Sequence, residues 1–386
     1  MAGSGRLSRA RARINSVVRL GAGPGFTIVA YGSDRDLLDN GLRVHSRTMR
    51  AAVIPCPGGP EVLVIRDVPA PEPSSGEVLV RVVASALNRA DLLQRLGKYP
   101  APPGAPANIP GIEFAGEVVE VGSGVLPSRI GQRVFGIAGG GAHSEFLVAH
   151  ERAVAVIPEC LSWIEAAAVP EAFVTAHDAL WVQAALRPCE RVLIHAVGSG
   201  VGLAAVQLVR AIGAVPFGTA RTQEKIDRAR ELGLEDGLAV GGDLSPLAPA
   251  VEAWTAHHGV DVVLDLAGGP YVGASLAVLA LRGRLLLVGS VAGRRAEIDL
   301  GLAISRRVRM TGTVLRARPL EEKISTIRAF ESEVVPLLAT GAVVPVIDSV
   351  YDLDSIVEAH ERLESNATFG KVVIRVASDA SNTSLE

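Results

Sequence analysis

The stretch Arg191–Ala214, RVLIHAVGSGVGLAAVQLVRAIGA, constrains this chain more than any other. A short apolar run meets three glycines, Gly198, Gly200 and Gly202, and a second apolar run of helical length follows. Strand, glycine turn and helix in that order make a βα junction. Glycines there let the backbone approach a bulky anion, and the helix N-terminus offers it unpaired N–H groups and positive dipole charge. The strict G-x-G-x-x-G spacing fails, because Leu203 stands where its last glycine would be. The context supplies what the motif lacks. Residues 214–220 (AVPFGTA), 222–233 (TQEKIDRARELG), 260–268 (VDVVLDLAG), 274–283 (ASLAVLALRG) and 284–291 (RLLLVGSV) alternate strand and helix patterns. Such alternation predicts a parallel sheet covered on both faces and a dinucleotide at the carboxyl ends of its strands.

The second strand of the unit should end in an acid about 20 residues after the glycines if a ribose 2′-hydroxyl is read. None is present. Arg221 follows Gly202 by 19 positions, with Thr222 and Lys225 just beyond and Thr219 just before. A guanidinium, a hydroxyl and an ammonium suit a 2′-phosphate, so the sequence prefers NADPH. Gly198, Ser199, Gly200 and Val201 are the expected pyrophosphate contacts. Gly289 and Ser290, at the end of a later strand, are expected at the nicotinamide half, as are Leu315 and Arg316.

The chain is longer than one core, so two domains are expected. Residues 49–160 read as short strands and turns, with helical signals from Ser162 onward and another helix after Pro319. Residues 346–376 read as strand, helix, strand, the last of which can rejoin the first region. A net charge of −3 gives no electrostatic case for a nucleic acid or a membrane. No apolar stretch approaches the roughly 18 residues of a bilayer span. Three cysteines (Cys56, Cys160, Cys189) form no C-x-x-C, which fits a reducing cytoplasm. Residues 1–50 hold nine arginines against three aspartates and lack a secretory apolar core. Residues 1–48 are therefore set apart, as an extension whose true start is Met49 or as an organelle transit peptide.

Five stretches in order, ALNRADLLQRLGKYPAPPGAP, IPGIEFAGEVVEVG, AAAVPEAFVTAHDAL, LIHAVGSGVGLAAVQL and GGPY, carry a resemblance across residues 49–376. The chain resembles the zinc-independent medium-chain dehydrogenase/reductases, in their zeta-crystallin-like NADPH:quinone oxidoreductase branch. The resemblance implies an α/β fold: a β-rich GroES-like catalytic domain (49–171 and 336–376), an inserted Rossmann domain (172–335) and a tail, 377–386. It implies a homodimer paired through Rossmann-sheet edges at 306–315. It also places Asn88 and Tyr99 in the cleft as assistants to hydride transfer, and Thr175 near the nicotinamide. Asn88 and Ile112 occupy the positions where zinc enzymes of the family carry Cys and His, so no metal is expected. Glu113 reads as a structural carboxylate of its loop, and His195 as a buried strand residue. The implied activity is hydride transfer from NADPH to a small quinone. Reduction of an activated alkene, and NADPH binding without turnover as in crystallin-like relatives, are the alternatives.

Overall fold

The computed structural model of the chain describes residues 47–377. The expectations for the N-terminal extension and for the tail from 378 lie outside these residues. Seven strands come first: β1 (Thr48–Val53), β2 (Val64–Pro69), β3 (Glu77–Ala86), β4 (Glu113–Val121), β5 (Arg133–Ile137), β6 (Phe146–His150) and β7 (Val154–Val156). Six form the central unit: β8 (Arg191–Ile194), β9 (Val215–Ala220), β10 (Asp236–Ala239), β11 (Val260–Asp265), β12 (Leu279–Leu287) and β13 (Arg309–Gly312). Two return at the end: β14 (Ile347–Asp352) and β15 (Lys371–Arg375).

The central strands pair in the order β10-β9-β8-β11-β12-β13, every pairing parallel. The order reverses beside β8. This is the doubly wound Rossmann arrangement, whose switch point lies at the end of the first strand, where the glycines follow. The other large sheet runs β14-β15-β3-β4-β5-β7, with β6 also on β3. β15 lies antiparallel to β3, so the chain end completes the sheet that its beginning started. The central lobe is thus inserted between two parts of the other.

One expected element differs. Residues 274–283 were expected as helix, but the helix Pro270–Val278 ends there and β12 begins at Leu279. Residues 274–281 (ASLAVLAL) are almost entirely apolar, so period does not separate helix from strand. Parallel partners on both sides draw Leu285–Leu287 and the residues before them into the sheet.

The two lobes share a core. A helical run from Trp163 to Gln183 packs its alanines with Ala84, Phe135 and Ala155 of one sheet and with Val192, Leu203 and Val206 of the other lobe. It opens with a capping box, in which the Ser162 hydroxyl accepts from the Glu165 N–H and the Glu165 carboxylate accepts from the Ser162 N–H. The expected boundary between residues 171 and 172 falls inside this run, where the chain is continuous helix. Phe330, fully buried, closes the same core from the helix Leu320–Glu333, its ring 6.0 Å from that of Phe135. Among the described residues no helix is long and apolar enough to cross a membrane.

Truncation of Phe330 tests this shared core. Phe330→Ala should cost about 3–5 kcal/mol. Denaturant unfolding followed by tryptophan fluorescence and by circular dichroism should show one transition shifted by the same amount in both signals. Loss of one lobe alone, seen as two separated transitions, would mean that the cores are independent.

Candidate active site

The glycine turn is built as the sequence requires. Ser199 caps the helix Gly200–Ala211, its hydroxyl accepting from the Gly202 N–H at 3.1 Å. The first N–H groups of that helix have no carbonyl one turn back to bond. A Cβ on Gly202 would lie 2.6 Å from the Val197 carbonyl oxygen, so only glycine lets the helix sit this close to the strand. Gly200 has a different neighbour: a Cβ there would meet the Lys371 chain at 2.5 Å. Gly198 accepts a backbone hydrogen bond from Gly370 at 3.1 Å. The first residues of β15 therefore lie directly against the nucleotide-type loop.

A basic cluster flanks this loop. Arg221 is exposed at the end of β9, and Thr222 begins the next helix without a side-chain cap bond. Lys225 is half-buried and donates to the carbonyls of Asn366 and Thr368, both at 2.8 Å. Two of its three protons are thus committed to holding the segment before β15. Burial first, and then the charge of Arg221, push the Lys225 pKa down. Arg89, from the other lobe, is depressed by the same pair of causes and donates to the Asn366 side chain. Three cations from two lobes therefore repel one another here. Arg89 was not among the expected site residues; nothing in its local sequence ties it to residue 221, since only the fold brings them together.

Behind the cluster, Thr219 is buried and engaged. His195, fully buried, meets the Thr219 hydroxyl through Nδ1 at 2.9 Å and the Ser275 hydroxyl through Nε2 at 2.9 Å. Ser275 itself donates to the Tyr271 carbonyl, so it accepts from Nε2–H, and Thr219 donates to Nδ1. Both hydroxyls serve a neutral imidazole, whose pKa burial lowers to about 3. Gly289 and Ser290 follow β12, with Ser290 exposed, and the Gly289 N–H donates to the Asp265 carbonyl at 3.2 Å.

The cleft side is organised by a buried ion pair. Lys371 donates to the Leu87 carbonyl at 2.9 Å and the Asn88 side-chain oxygen at 2.7 Å, and it pairs with Glu113 at 2.5 Å. Glu113, fully buried, also accepts from Asn88 Nδ2 at 2.8 Å and from the Glu171 N–H at 2.8 Å. The second Nδ2 hydrogen of Asn88 goes to the Ala86 carbonyl at 3.2 Å. Every polar atom of the Asn88 side chain is occupied in holding the loop. Expected as a donor to substrate, Asn88 instead fixes the mouth of the cleft.

Tyr99 is half-buried, with the Arg316 guanidinium 5.1 Å from its ring centre. Arg316 is 3% exposed. It donates to the Gly139 carbonyl at 2.8 Å and to Gln94 at 2.6 Å, while its Nη1 is buried and unpartnered. Thr175 is buried, and its hydroxyl too lacks a partner. Leu315 is buried against Val174, so the segments carrying Thr175 and Arg316 adjoin. The same region contains a residue the sequence reading passed over. Glu171 has a buried Oε2 without a hydrogen-bond partner, and burial followed by the charge of Glu113 raises its pKa to about 8.

A catalytic metal does not fit these residues. Among those described, no three His, Cys, Asp or Glu side chains cluster to hold one. Asn88 turns both Nδ2 hydrogens to acceptors, and Ile112 has no donor atom.

Comparison with known proteins agrees with this architecture. Residues 74–159 match the family model of the alcohol dehydrogenase GroES-like domain, and residues 244–374 that of a zinc-binding dehydrogenase. The quinone oxidoreductase of Lama guanicoe is 31% identical over 336 residues, which cover 86% of this chain and 99% of that one. Polyketide synthase GfsB of Streptomyces halstedii is 37% identical over 302 residues; these are 78% of this chain but 5% of the synthase. Among solved structures, mycobacterial Rv1454c complexed with NADPH superposes with a TM-score of 0.76 at 30% identity, over 85% of this chain and 100% of that one. Fold and site together define a two-lobed oxidoreductase with a nucleotide-binding Rossmann insertion. The chain belongs to the medium-chain dehydrogenase/reductase family, in its quinone oxidoreductase branch.

The buried His195 makes an acid-lability test. Below pH 6.5 the unfolded chain protonates this histidine while the folded chain keeps it neutral down to about pH 3. Stability therefore falls as pH drops through that window, with a slope of up to about 1.4 kcal/mol per pH unit from this residue. Denaturant unfolding at several pH values should show a shallower acid slope in His195→Gln. Equal slopes would mean that His195 is protonated in the folded state.

Proposed function

We propose that this protein is an NADPH-dependent quinone reductase that acts on small quinones in the cytoplasm. The observation that carries the reading is the cluster of Arg221, Lys225 and Arg89 beside the glycine turn, at the place where an NADH enzyme would carry an acid. Burial first, and then the charge of Arg221, lower the pKa values of Lys225 and Arg89, and a bound anion would offset both costs. A 2′-phosphate supplies one: Arg221 grips it, Thr222 donates to it, and the remaining proton of Lys225 faces it. The N–H groups around Gly198, Ser199, Gly200 and Val201 hold the pyrophosphate at the helix N-terminus. Thr219 contributes by fixing the strand end through His195 and does not contact the phosphate.

NADPH, when bound, supplies the hydride. The protein holds and shields the acceptor. Thr175, with its uncommitted hydroxyl, and Gly289, Ser290 and Leu315 line the nicotinamide half. Asn88 keeps the loop in place, and Tyr99 walls the acceptor pocket with its hydroxyl available to a carbonyl oxygen. A quinone needs little further activation, because its carbonyls are electron-poor. An activated alkene is the second reading. It is favoured by the acid Glu171 in the cleft, since such a substrate needs a proton donor after hydride arrives. Binding without turnover remains the outcome if no acceptor is reduced.

The exposed edge strand β13 is the proposed dimer contact. All four of its residues are exposed, and Leu281, Leu300, Ile304 and Met310 nearby leave apolar surface open. A sheet edge with apolar flanks is a pairing site unless something blocks it.

The purified protein should oxidise NADPH with benzoquinone or phenanthrenequinone, and do so poorly with NADH. The double variant Arg221→Ala/Lys225→Ala should raise the KM for NADPH on the order of 100-fold, from two charge-assisted contacts, and leave that for NADH nearly unchanged. Equal effects on both cofactors would remove the phosphate assignment. Reduction of crotonyl-CoA alone would move the protein to the alkene reductases. Separately, Thr311→Pro on β13 should convert a dimer to a monomer by light scattering; an unchanged mass would exclude that edge.

A further inference from the structure

We propose that Glu171 is the proton donor of the cleft, delivering its carboxyl proton to the oxygen of the acceptor as the acceptor is reduced. The inference rests on the quinone-reductase reading above and deepens it.

Two carboxyls lie side by side here with opposite provisions. Glu113 is met by the Lys371 ammonium, the Asn88 amide and a backbone N–H, so its charge is fully compensated. Glu171 gives its own N–H to Glu113 and receives nothing on its buried Oε2. Ionising Glu171 would put charge on a buried Oε2 without a donor and beside the Glu113 carboxylate; Lys371 and Arg316 oppose this only in part, so burial favours the neutral acid. The charged and titratable groups around it are Glu113, Lys371, Asp91, Arg316 and, through its phenol, Tyr99. Among the charges, Glu113 weighs most against ionisation of Glu171, and the Lys371 ammonium that opposes it is paired with Glu113.

Its position is that of a reactive group. Glu171 starts the π-helical segment Pro170–Val174, and Thr175 follows four residues on. Irregular turns of this kind recur at functional sites. Glu171 Oε2, Thr175 Oγ1 and Arg316 Nη1 are all buried and all unpartnered. They come from two adjoining segments, since Val174 and Leu315 line one small cavity. Buried polar atoms without partners are rare, and three from two touching segments call for a common ligand. An acceptor oxygen fits them: an acid to protonate it, a guanidinium hydrogen to stabilise its charge, and a hydroxyl to orient the neighbouring ring.

The step balances as follows. The acceptor takes two electrons and a hydrogen as hydride from NADPH, which becomes NADP+, and its oxygen becomes anionic. The Glu171 O–H bond breaks, and a new O–H bond forms on that oxygen. Glu171 is left as a carboxylate beside Glu113 and regains a proton from water. The net change is one NADPH, one acceptor and one proton converted to NADP+ and the reduced acceptor.

Glu171→Gln and Glu171→Asp test this in the full chain. The Gln variant should lower kcat for the quinone on the order of 100-fold, the scale of general acid catalysis, with the Kd for NADPH unchanged. The Asp variant should restore part of the rate. In the wild type, kcat should fall as pH rises through about 8, where the acid ionises, and this limb should vanish in the Gln variant. A readout independent of turnover is infrared titration of the protein without cofactor. A protonated carboxyl band should persist at neutral pH, bleach as pH passes about 8, and be missing from the Gln variant. Unchanged kcat in the Gln variant, or a carboxyl band that is absent at neutral pH in the wild type, would overturn the proposal. Should the Gln variant not fold, the wild-type pH limb and band decide alone. Failure of the wild type to reduce any quinone would instead overturn the underlying function, a result distinguishable from either.

Discussion

The Lys371–Glu113 ion pair is the interaction on which the site depends. It joins the last strand to β4, and each of the three ammonium hydrogens has its own acceptor on the loop that ends β3 or on β4 itself. Burying a charge is costly unless the partner and the remaining hydrogen bonds are all present, and here they are. The pair does more than hold two strands. The Lys371 stem runs beneath Gly200, so the floor of the nucleotide turn and the mouth of the cleft rest on one side chain. That explains a glycine at 200 better than cofactor clearance alone does, because any side chain would collide with the lysine.

Glu113 takes the ammonium as its direct partner, and the neighbouring Glu171 is left with only the weaker pull of Lys371 and Arg316. Two carboxyls in one apolar setting are driven to opposite protonation states by an unequal share of donors. Arg316 offsets this only in part: Nε and Nη2 go to neutral acceptors, and Nη1 is left unpartnered. The cleft thus holds a compensated Glu113, a Glu171 whose pKa is raised to about 8, and two cations, Lys371 and Arg316, with Tyr99 against the guanidinium. The nucleotide side shows a different unequal distribution, with three cations and no nearby acid on the glycine loop itself.

Much of this was legible in the residues. Alternating apolar runs around Gly198–Gly202 led to a parallel sheet, and the return of residues 371–375 to the first sheet was foreshadowed by the strand pattern after Gly370. Periodicity failed where composition carried no phase: Leu276–Leu281 is wholly apolar and suits either structure, and sheet neighbours decided it. At the site, single positions were readable but their partners were not. Arg221 stood out because an acid was missing from the place where an NADH enzyme would carry one. The commitment of Lys225 to the carbonyls of Asn366 and Thr368 depends on a segment about 140 positions away. Arg89 joined the cluster for the same reason, across the lobes. Glu171 had no sequence signal at all, since its character comes from what Glu113 takes and not from its own neighbours. Asn88 was read as a donor to substrate, and only the folded structure shows both its hydrogens in use.

The return of β15 also sets an order of assembly. Leu87 and Lys371 are 284 positions apart, yet the cleft is incomplete until they meet. During synthesis from the N-terminus, β1 to β7 emerge long before the lysine that neutralises Glu113 exists. Through that interval Glu113 has no ammonium partner, the Asn88 loop lacks its tether to Lys371, and the first sheet is open beside Ala84–Ala86 of β3. The strands of the central sheet all lie within residues 191–312, whereas the first sheet waits for the final strand. A chain stopped before residue 371 would lack both the ammonium that meets Glu113 and the strand that completes the first sheet.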